Sequence, residues 1–138
     1  MTTALITGAA GQDGTLLAAY LSRAGHKIVG VVKPGADTDR FRQYVPTATV
    51  VEHDLEDIDG LRAMVIEAEP QLLANLAGVS SITESQRFPE LTKRINVDAV
   101  AAIVDGLTAV ERKSSTRPRM FQATSAAIFE GVDRIPQT

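Results

Sequence analysis

Three glycines, Gly8, Gly11 and Gly14, stand at three-residue spacing in the stretch Thr7-Gly8-Ala9-Ala10-Gly11-Gln12-Asp13-Gly14, between a short apolar run and an amphipathic segment. Glycines so placed bring backbone N–H groups against an anionic ligand. Gly8 permits a tight turn, Gly11 opens the backbone to a pyrophosphate, and Gly14 lets the following helix pack closely on the strand. The helix N-terminus that follows the loop, in which Gln12 and Asp13 also lie, then offers unpaired N–H groups and a partial positive charge to the phosphates. A plain strand-to-helix turn with incidental glycines is the competing reading. Three at these offsets, opening a strand–helix–strand unit, favour a loop for NAD or NADP.

Other positions extend this reading. An acid at the end of the second strand would accept from the ribose hydroxyls of NAD and repel a 2′-phosphate. Here the strand ends in Lys33, Arg40 and Arg42 follow, and the first acid is Asp37. The expected cofactor is therefore NADP(H) rather than NAD, with Lys33 and Arg40 on the 2′-phosphate. The alternative is a solvated basic patch. Asp54, after the third strand, reads either as an acceptor for the adenine amino group or as a helix N-cap. Leu76, Ala77 and Gly78 follow Asn75 at the end of the fourth strand, small enough to leave room for the cofactor's central ribose. His26 and His53 read as structural, and no spacing suits a metal.

These groups need a frame. Short apolar runs alternate with longer amphipathic stretches: strands at 4–6, 27–32, 49–53, 72–76 and 119–123, and helices at 16–21, 57–68 and 89–112. Gly25 stops the first helix and Pro70 the second. Residues 34–46 read as irregular, with one helical turn around 40–44. Strands continuously apolar rather than alternating belong in a parallel sheet covered on both faces. The expectation is an α/β Rossmann fold, doubly wound, with strand order 3-2-1-4-5. The helix at 89–112 carries Ile95, Val97, Val100, Ile103, Val104, Leu107 and Val110 almost all round. It should be buried on two sides, by the sheet and by a neighbouring helix or a second subunit, so a homo-oligomer built on the stretch from Ile95 to Val110 is expected.

Composition bounds the function classes. At 138 residues the chain is one domain, 44% apolar and 22% charged, with a net charge of −3. That charge argues against nucleic acid as a partner. Its longest apolar run, 99–104, is far below the ~20 residues of a membrane span. With no cysteine, disulfides and thiolate metal sites are excluded, and a reducing cytoplasm is the expected location.

Together these features resemble the extended short-chain dehydrogenase/reductase (NAD-dependent epimerase/dehydratase) family, whose glycine spacing matches Thr7-Gly8-x-x-Gly11-x-x-Gly14. More narrowly, Ala4-Leu5-Ile6-Thr7-Gly8, Gly11-Gln12-Asp13-Gly14, residues 70–77 ending in Asn75-Leu76-Ala77, Phe121-Gln122-Ala123-Thr124-Ser125 and Ile135-Pro136-Gln137 are similar to the GDP-mannose 4,6-dehydratases. The resemblance implies an NADP-binding domain of a nucleotide-sugar modifying enzyme, with GDP-mannose as the type of substrate. It implies that Asp54 and Leu55 meet the adenine and that Leu76, Ala77 and Ser80 line the cofactor channel. Ser125, with Thr124 beside it, matches the family's catalytic Ser/Thr, which hydrogen-bonds the sugar C4 oxygen as hydride leaves C4. Without the resemblance, both read as ordinary strand-end capping residues.

The sequence departs from that pattern at two places. Dehydratases of the family carry a carboxylate two residues after the catalytic Ser/Thr, where this chain has Ala127, and alanine moves no proton. The family's Tyr-x-x-x-Lys pair is absent from these 138 residues, since neither Tyr20 nor Tyr44 has a lysine four positions on. Family members continue past this point into further strands and a substrate domain, so residues 1–138 correspond to the cofactor-binding part. Two readings remain: the cofactor domain of a dehydratase, epimerase or ketoreductase, or a non-catalytic NADP-binding or dimerisation module.

Overall fold

A computed structural model describes residues 2–114 and 117–131. Five strands form one parallel sheet: β1 (Thr3–Thr7), β2 (Lys27–Val32), β3 (Thr49–Glu52), β4 (Leu72–Asn75) and β5 (Arg119–Gln122), in the order β3-β2-β1-β4-β5. This is the doubly wound order expected from the sequence. The chain reverses direction across the sheet between β3 and β4, leaving the carboxyl ends of β1 and β4 side by side at the switch point.

Strand alternation divides the core. Ala4, Ile6, Ile28 and Val32 face helix α1 (Gln12–Arg23) and the short α2 (Asp39–Tyr44), whose Phe41 is buried against them. Leu5, Val29, Val31 and Leu73 point the other way, as the two-residue repeat of a strand requires. There they meet α3 (Ile58–Ala68) and α6 (Ala99–Lys113), through Leu61, Val65, Ala102, Ile103 and Leu107. Apolar residues sit on both sides of each central strand because both sides are covered.

The helix expected at 89–112 is present but not uniform. It runs as α5 (Pro89–Lys93), a π-type turn (Arg94–Asp98) and α6, ending at Lys113. Its second neighbour is α3: a side chain at Gly106 would press on Val65 at 2.9 Å, so glycine there permits the close approach. The helix is thus less buried than its composition suggested. Val97 and Val104, one heptad apart, lie 57% and 47% exposed. One element escaped the sequence reading: α4 (Ile82–Arg87), capped by Ser81, whose hydroxyl accepts from Glu84 N–H. It buries no residue, so no apolar stripe announced it. Among the described residues no helix is long and apolar enough to cross a membrane, and no group of metal-ligating side chains gathers.

Candidate dinucleotide-binding site

β1 ends in Thr7, and the chain turns at Gly8 with φ +67°, a left-handed conformation that glycine adopts without steric cost. A Cβ on Gly8 would also stand 3.0 Å from Ala77 N. Gly14, in the first turn of α1, is buried. Its absent side chain is what lets α1 start against the loop, for a Cβ there would lie 2.3 Å from Gly8 O and 2.8 Å from Ala9 Cα. Gly11 differs from both. It caps α1 with φ −69° and ψ 170°, dihedrals open to any residue, and a Cβ on it would meet only Gly8 O, at 3.1 Å. Backbone geometry does not demand glycine at 11. Gly11 lies instead in the lining of a cavity.

The cavity, about 590 Å³, lies over the carboxyl ends of the central strands. Gly8 and Gly11 form its floor, Lys33, Asp54 and Leu55 its β2–β3 side, and Leu76, Ala77, Gly78 and Ser80 its β4 side. Nine of the fifteen residues singled out from the sequence therefore converge on one space. Others do not. Gln12 and Asp13 are exposed in the first turn of α1 and Gly14 packs beneath the loop, all outside the lining. Arg40 is an exposed residue of α2 that approaches the Tyr44 ring, 6.0 Å from its centroid, and is not brought to the cavity. Arg42 is tied to Thr38 on the same helix. Short α2 turns both arginines outward because Phe41 between them takes the inward position. Lys33 is left as the one lysine or arginine in the lining among the described residues.

Asp54 does not cap α3. Its carboxylate accepts from Glu56 N–H at 3.0 Å, shaping the loop after β3, while Asp57 caps the helix by accepting from Gly60 N–H. Thr124 and Ser125 follow β5 as exposed residues outside the cavity lining, and the Ser125 carbonyl accepts from Ile128 N–H at 3.2 Å. Ala127 falls in the short 3₁₀ turn Ala126–Phe129. Residues Ile135, Pro136 and Gln137 lie outside the described residues.

Sequence reasoning missed the polar chain that locks this edge of the sheet. Thr7 is fully buried; its hydroxyl donates to Asn75 Oδ1 and accepts from Leu76 N–H and Ala77 N–H, each at 3.2 Å. Asn75, also buried, donates to Gln122 Oε1 at 2.9 Å, and Gln122 donates to the Ala123 carbonyl. Side chains from β1, β4 and β5 thus fix both the cavity wall at Leu76–Ala77 and the start of the Thr124–Ser125 segment. Only strand order brings the three together. Asn96, which holds the loop at Val79, was missed as well; the sole signal was an amide in an apolar helix.

A family model described as GDP-mannose 4,6 dehydratase matches residues 5–138. The chain belongs to the GDP-mannose 4,6 dehydratase family. Among family relatives, GDP-mannose 4,6 dehydratase 2 of Caenorhabditis elegans is 27% identical over 98% of this chain and 38% of its own length. GDP-mannose 4,6-dehydratase of Yersinia enterocolitica is 29% identical over 99% of this chain and 39% of its own. Solved structures share the fold. A UDP-glucose-4-epimerase from Stenotrophomonas maltophila, with bound NAD and formylated UDP-arabinopyranose, superimposes with a TM-score of 0.79 at 20% identity, over 99% of this chain and 41% of that one. A putative epimerase from Burkholderia cenocepacia gives 0.75 at 26% identity, over 94% and 39%. This family member spans about two fifths of the length of these relatives.

Proposed function

We propose that this chain holds NADP(H) for a nucleotide-sugar modifying enzyme of the dehydratase/epimerase type, and that residues 1–138 constitute its single cofactor-binding domain. The observation that carries the proposal is Gly11: a residue with unconstrained dihedrals, whose missing Cβ opens the cavity floor at the N-terminus of α1. That is a cradle a side chain would fill, and it fits a pyrophosphate held by backbone N–H groups. Lys33 would meet a 2′-phosphate, Asp54 and Leu55 the adenine, and Leu76, Ala77, Gly78 and Ser80 the central ribose and beyond. Gly8 and Gly14 set the loop; Gln12 and Asp13 sit at the helix start as positioning residues, and Arg40, exposed on α2 outside the cavity lining, would reach the 2′-phosphate only by extending from that helix.

A bound nicotinamide would supply a hydride acceptor and donor. The chain's own residues would orient it and the sugar: the Leu76–Ala77 wall is pinned by Thr7, and Ser125, with Thr124, would hydrogen-bond the sugar C4 oxygen. Dehydration, epimerisation or ketoreduction would follow. Ala127, unable to carry a proton, favours a second reading in which the chain binds cofactor without eliminating water. Exposed Val97 and Val104 support a homo-oligomer, and the cysteine-free composition a cytoplasmic setting.

The test is a fluorescence titration with NADPH and NADH against wild type, Gly11→Val and Lys33→Ala. Expected are tighter NADPH than NADH binding, loss of that preference in Lys33→Ala, and loss of both ligands in Gly11→Val at an unchanged melting temperature. Full NADPH affinity in Gly11→Val would reduce the loop to a turn. Equal affinity of the wild type for the two cofactors at low salt would remove the NADP assignment.

A further inference from the structure

The second strand carries no acid at its own carboxyl end, but the folded sheet delivers one there from the strand beside it. β3 pairs in parallel with β2 in a register that sets Glu52 opposite Val32, the last residue of β2. Alternation then fixes the face. Val50, two residues earlier, packs with the layer of α1 and α2, whereas Val51 packs with α3 and α6. Glu52 shares the face of Val50. Its carboxylate reaches the turn that joins β2 to α2, accepting from Gly35 N–H at 3.3 Å.

That turn has few donors to offer. Residues 33–36 close it with a hydrogen bond from Ala36 N–H to the Lys33 carbonyl at 3.0 Å, and Gly35 takes φ +71° at its third position. Pro34 has no N–H. Ala36 uses its own on Lys33, and Glu52 holds the one on Gly35. Among the described residues nothing lies within 4 Å of where a Cβ on Gly35 would stand, so the turn faces open space. Lys33, at its head, is in the cavity lining. A lysine close to a backbone N–H is a fit for a phosphate monoester. Here an acidic side chain of the protein already accepts from that N–H.

We propose that Glu52 is a specificity-determining residue: its carboxylate takes the anion position of the β2–α2 turn and competes there with the 2′-phosphate of a dinucleotide. It thereby offsets part of the preference for NADP(H) that Lys33 creates. The inference rests on the dinucleotide reading above, with the adenosine over β2 and β3. A 2′-phosphate drawn to Lys33 must displace Glu52 from Gly35 N–H or stand beside it. Either way the two anions share Lys33 and one backbone donor. An NAD ribose brings no second anion to the turn and leaves the Glu52–Gly35 contact in place.

The experiment titrates the chain with 2′,5′-ADP and NADPH, against ADP and NADH, for wild type, Glu52→Gln and Glu52→Ala. Glu52→Gln removes the charge but keeps an oxygen able to accept from Gly35 N–H; Glu52→Ala removes both. Glu52 is exposed at the end of an edge strand, so both variants should melt within about 3 °C of wild type. At low salt, affinity for 2′,5′-ADP and NADPH should rise about three-fold in Glu52→Gln, the scale of one like-charge contact at a solvated site, and further in Glu52→Ala. The gain in Glu52→Gln should fade as salt is raised. ADP and NADH should change less than two-fold, which separates local competition from the altered net charge. Equal gains for both ligand classes, or none for the 2′-phosphorylated pair, overturn the competition. A loss of ADP affinity with 2′,5′-ADP unchanged overturns it too, by making Glu52 an acceptor for the ribose hydroxyl. A wild type that favours NADH, with the gain still present in Glu52→Gln, supports the competition while removing the NADP assignment. Wild type and variants that bind none of the four ligands overturn the cofactor reading itself and the inference with it.

Discussion

Gly14→Ala is a single methyl group placed where the structure has no room. The new Cβ would lie 2.3 Å from Gly8 O, 2.8 Å from Ala9 Cα and 3.0 Å from Ala9 C. All three are backbone atoms of the loop, so no side chain can rotate away. Restoring ordinary contact means moving α1 off the loop by roughly 1 Å. Overpacking of this kind costs about 1–3 kcal/mol, and rigid neighbours argue for the upper part of that range. Alanine returns at most about 1 kcal/mol as a better helix former. The net loss is about 2 kcal/mol, or a melting temperature lower by roughly 6–10 °C for a chain of this size. Thermal unfolding followed by circular dichroism at 222 nm measures it, with Gly11→Ala as the control. That Cβ meets one atom at 3.1 Å on ordinary dihedrals, so its melting temperature should stay within about 2 °C of wild type. Equal melting temperatures for Gly14→Ala and wild type would refute the claim that glycine at 14 serves strand–helix packing. A loss as large in Gly11→Ala would refute the division of labour between the two positions.

Three further outcomes follow from particular contacts. Thr7→Val removes the hydroxyl that serves Asn75, Leu76 and Ala77; buried polar groups left unpaired should cost about 1–3 kcal/mol in denaturant unfolding, and a neutral result would mean the network is dispensable. Asp57→Ala removes the cap on α3 and should cost about 1 kcal/mol, read from the urea midpoint, whereas Asp54→Ala should leave α3 unaffected because the Asp54 carboxylate accepts from Glu56 N–H, ahead of the helix. Val104→Asp puts a charge on the exposed side of α6. If the wild type self-associates through that side, sedimentation should show the variant as monomer at concentrations where wild type is not, and an unchanged distribution would exclude it.

Much of the fold was legible because its signals are local. Lys27–Val32 reads as a buried parallel strand since five consecutive residues there are covered on both faces. Pro70 after α3 and Gly25 after α1 mark helix ends through backbone chemistry that needs no context. α4 was not legible from hydrophobicity, because it buries nothing, although Ser81 and Glu84 carry a capping spacing that marks its start. The π-type turn left no trace in residue type. That Arg40 stands outside the cavity lining was not legible, because sequence distance from Lys33 says nothing about which way a six-residue helix turns; burial of Phe41 decides it.

The sequence by itself determined that this chain would be a parallel, doubly wound α/β domain with a glycine loop at Gly8, Gly11 and Gly14 between its first strand and first helix, since periodicity, caps and glycine spacing are properties of neighbours along the chain. Tertiary structure alone decided which residues share the site. Thr7, Asn75 and Gln122 are joined only by strand register, and Asn96 reaches Val79 only through a turn that breaks the helix period. It also separated the three glycines, which look alike in sequence: Gly8 answers to a positive φ, Gly14 to packing, and Gly11 to the cavity. The physical reason is the same each time. A side chain's use depends on what faces it across space, and distances across a sheet are set only when the strands have paired.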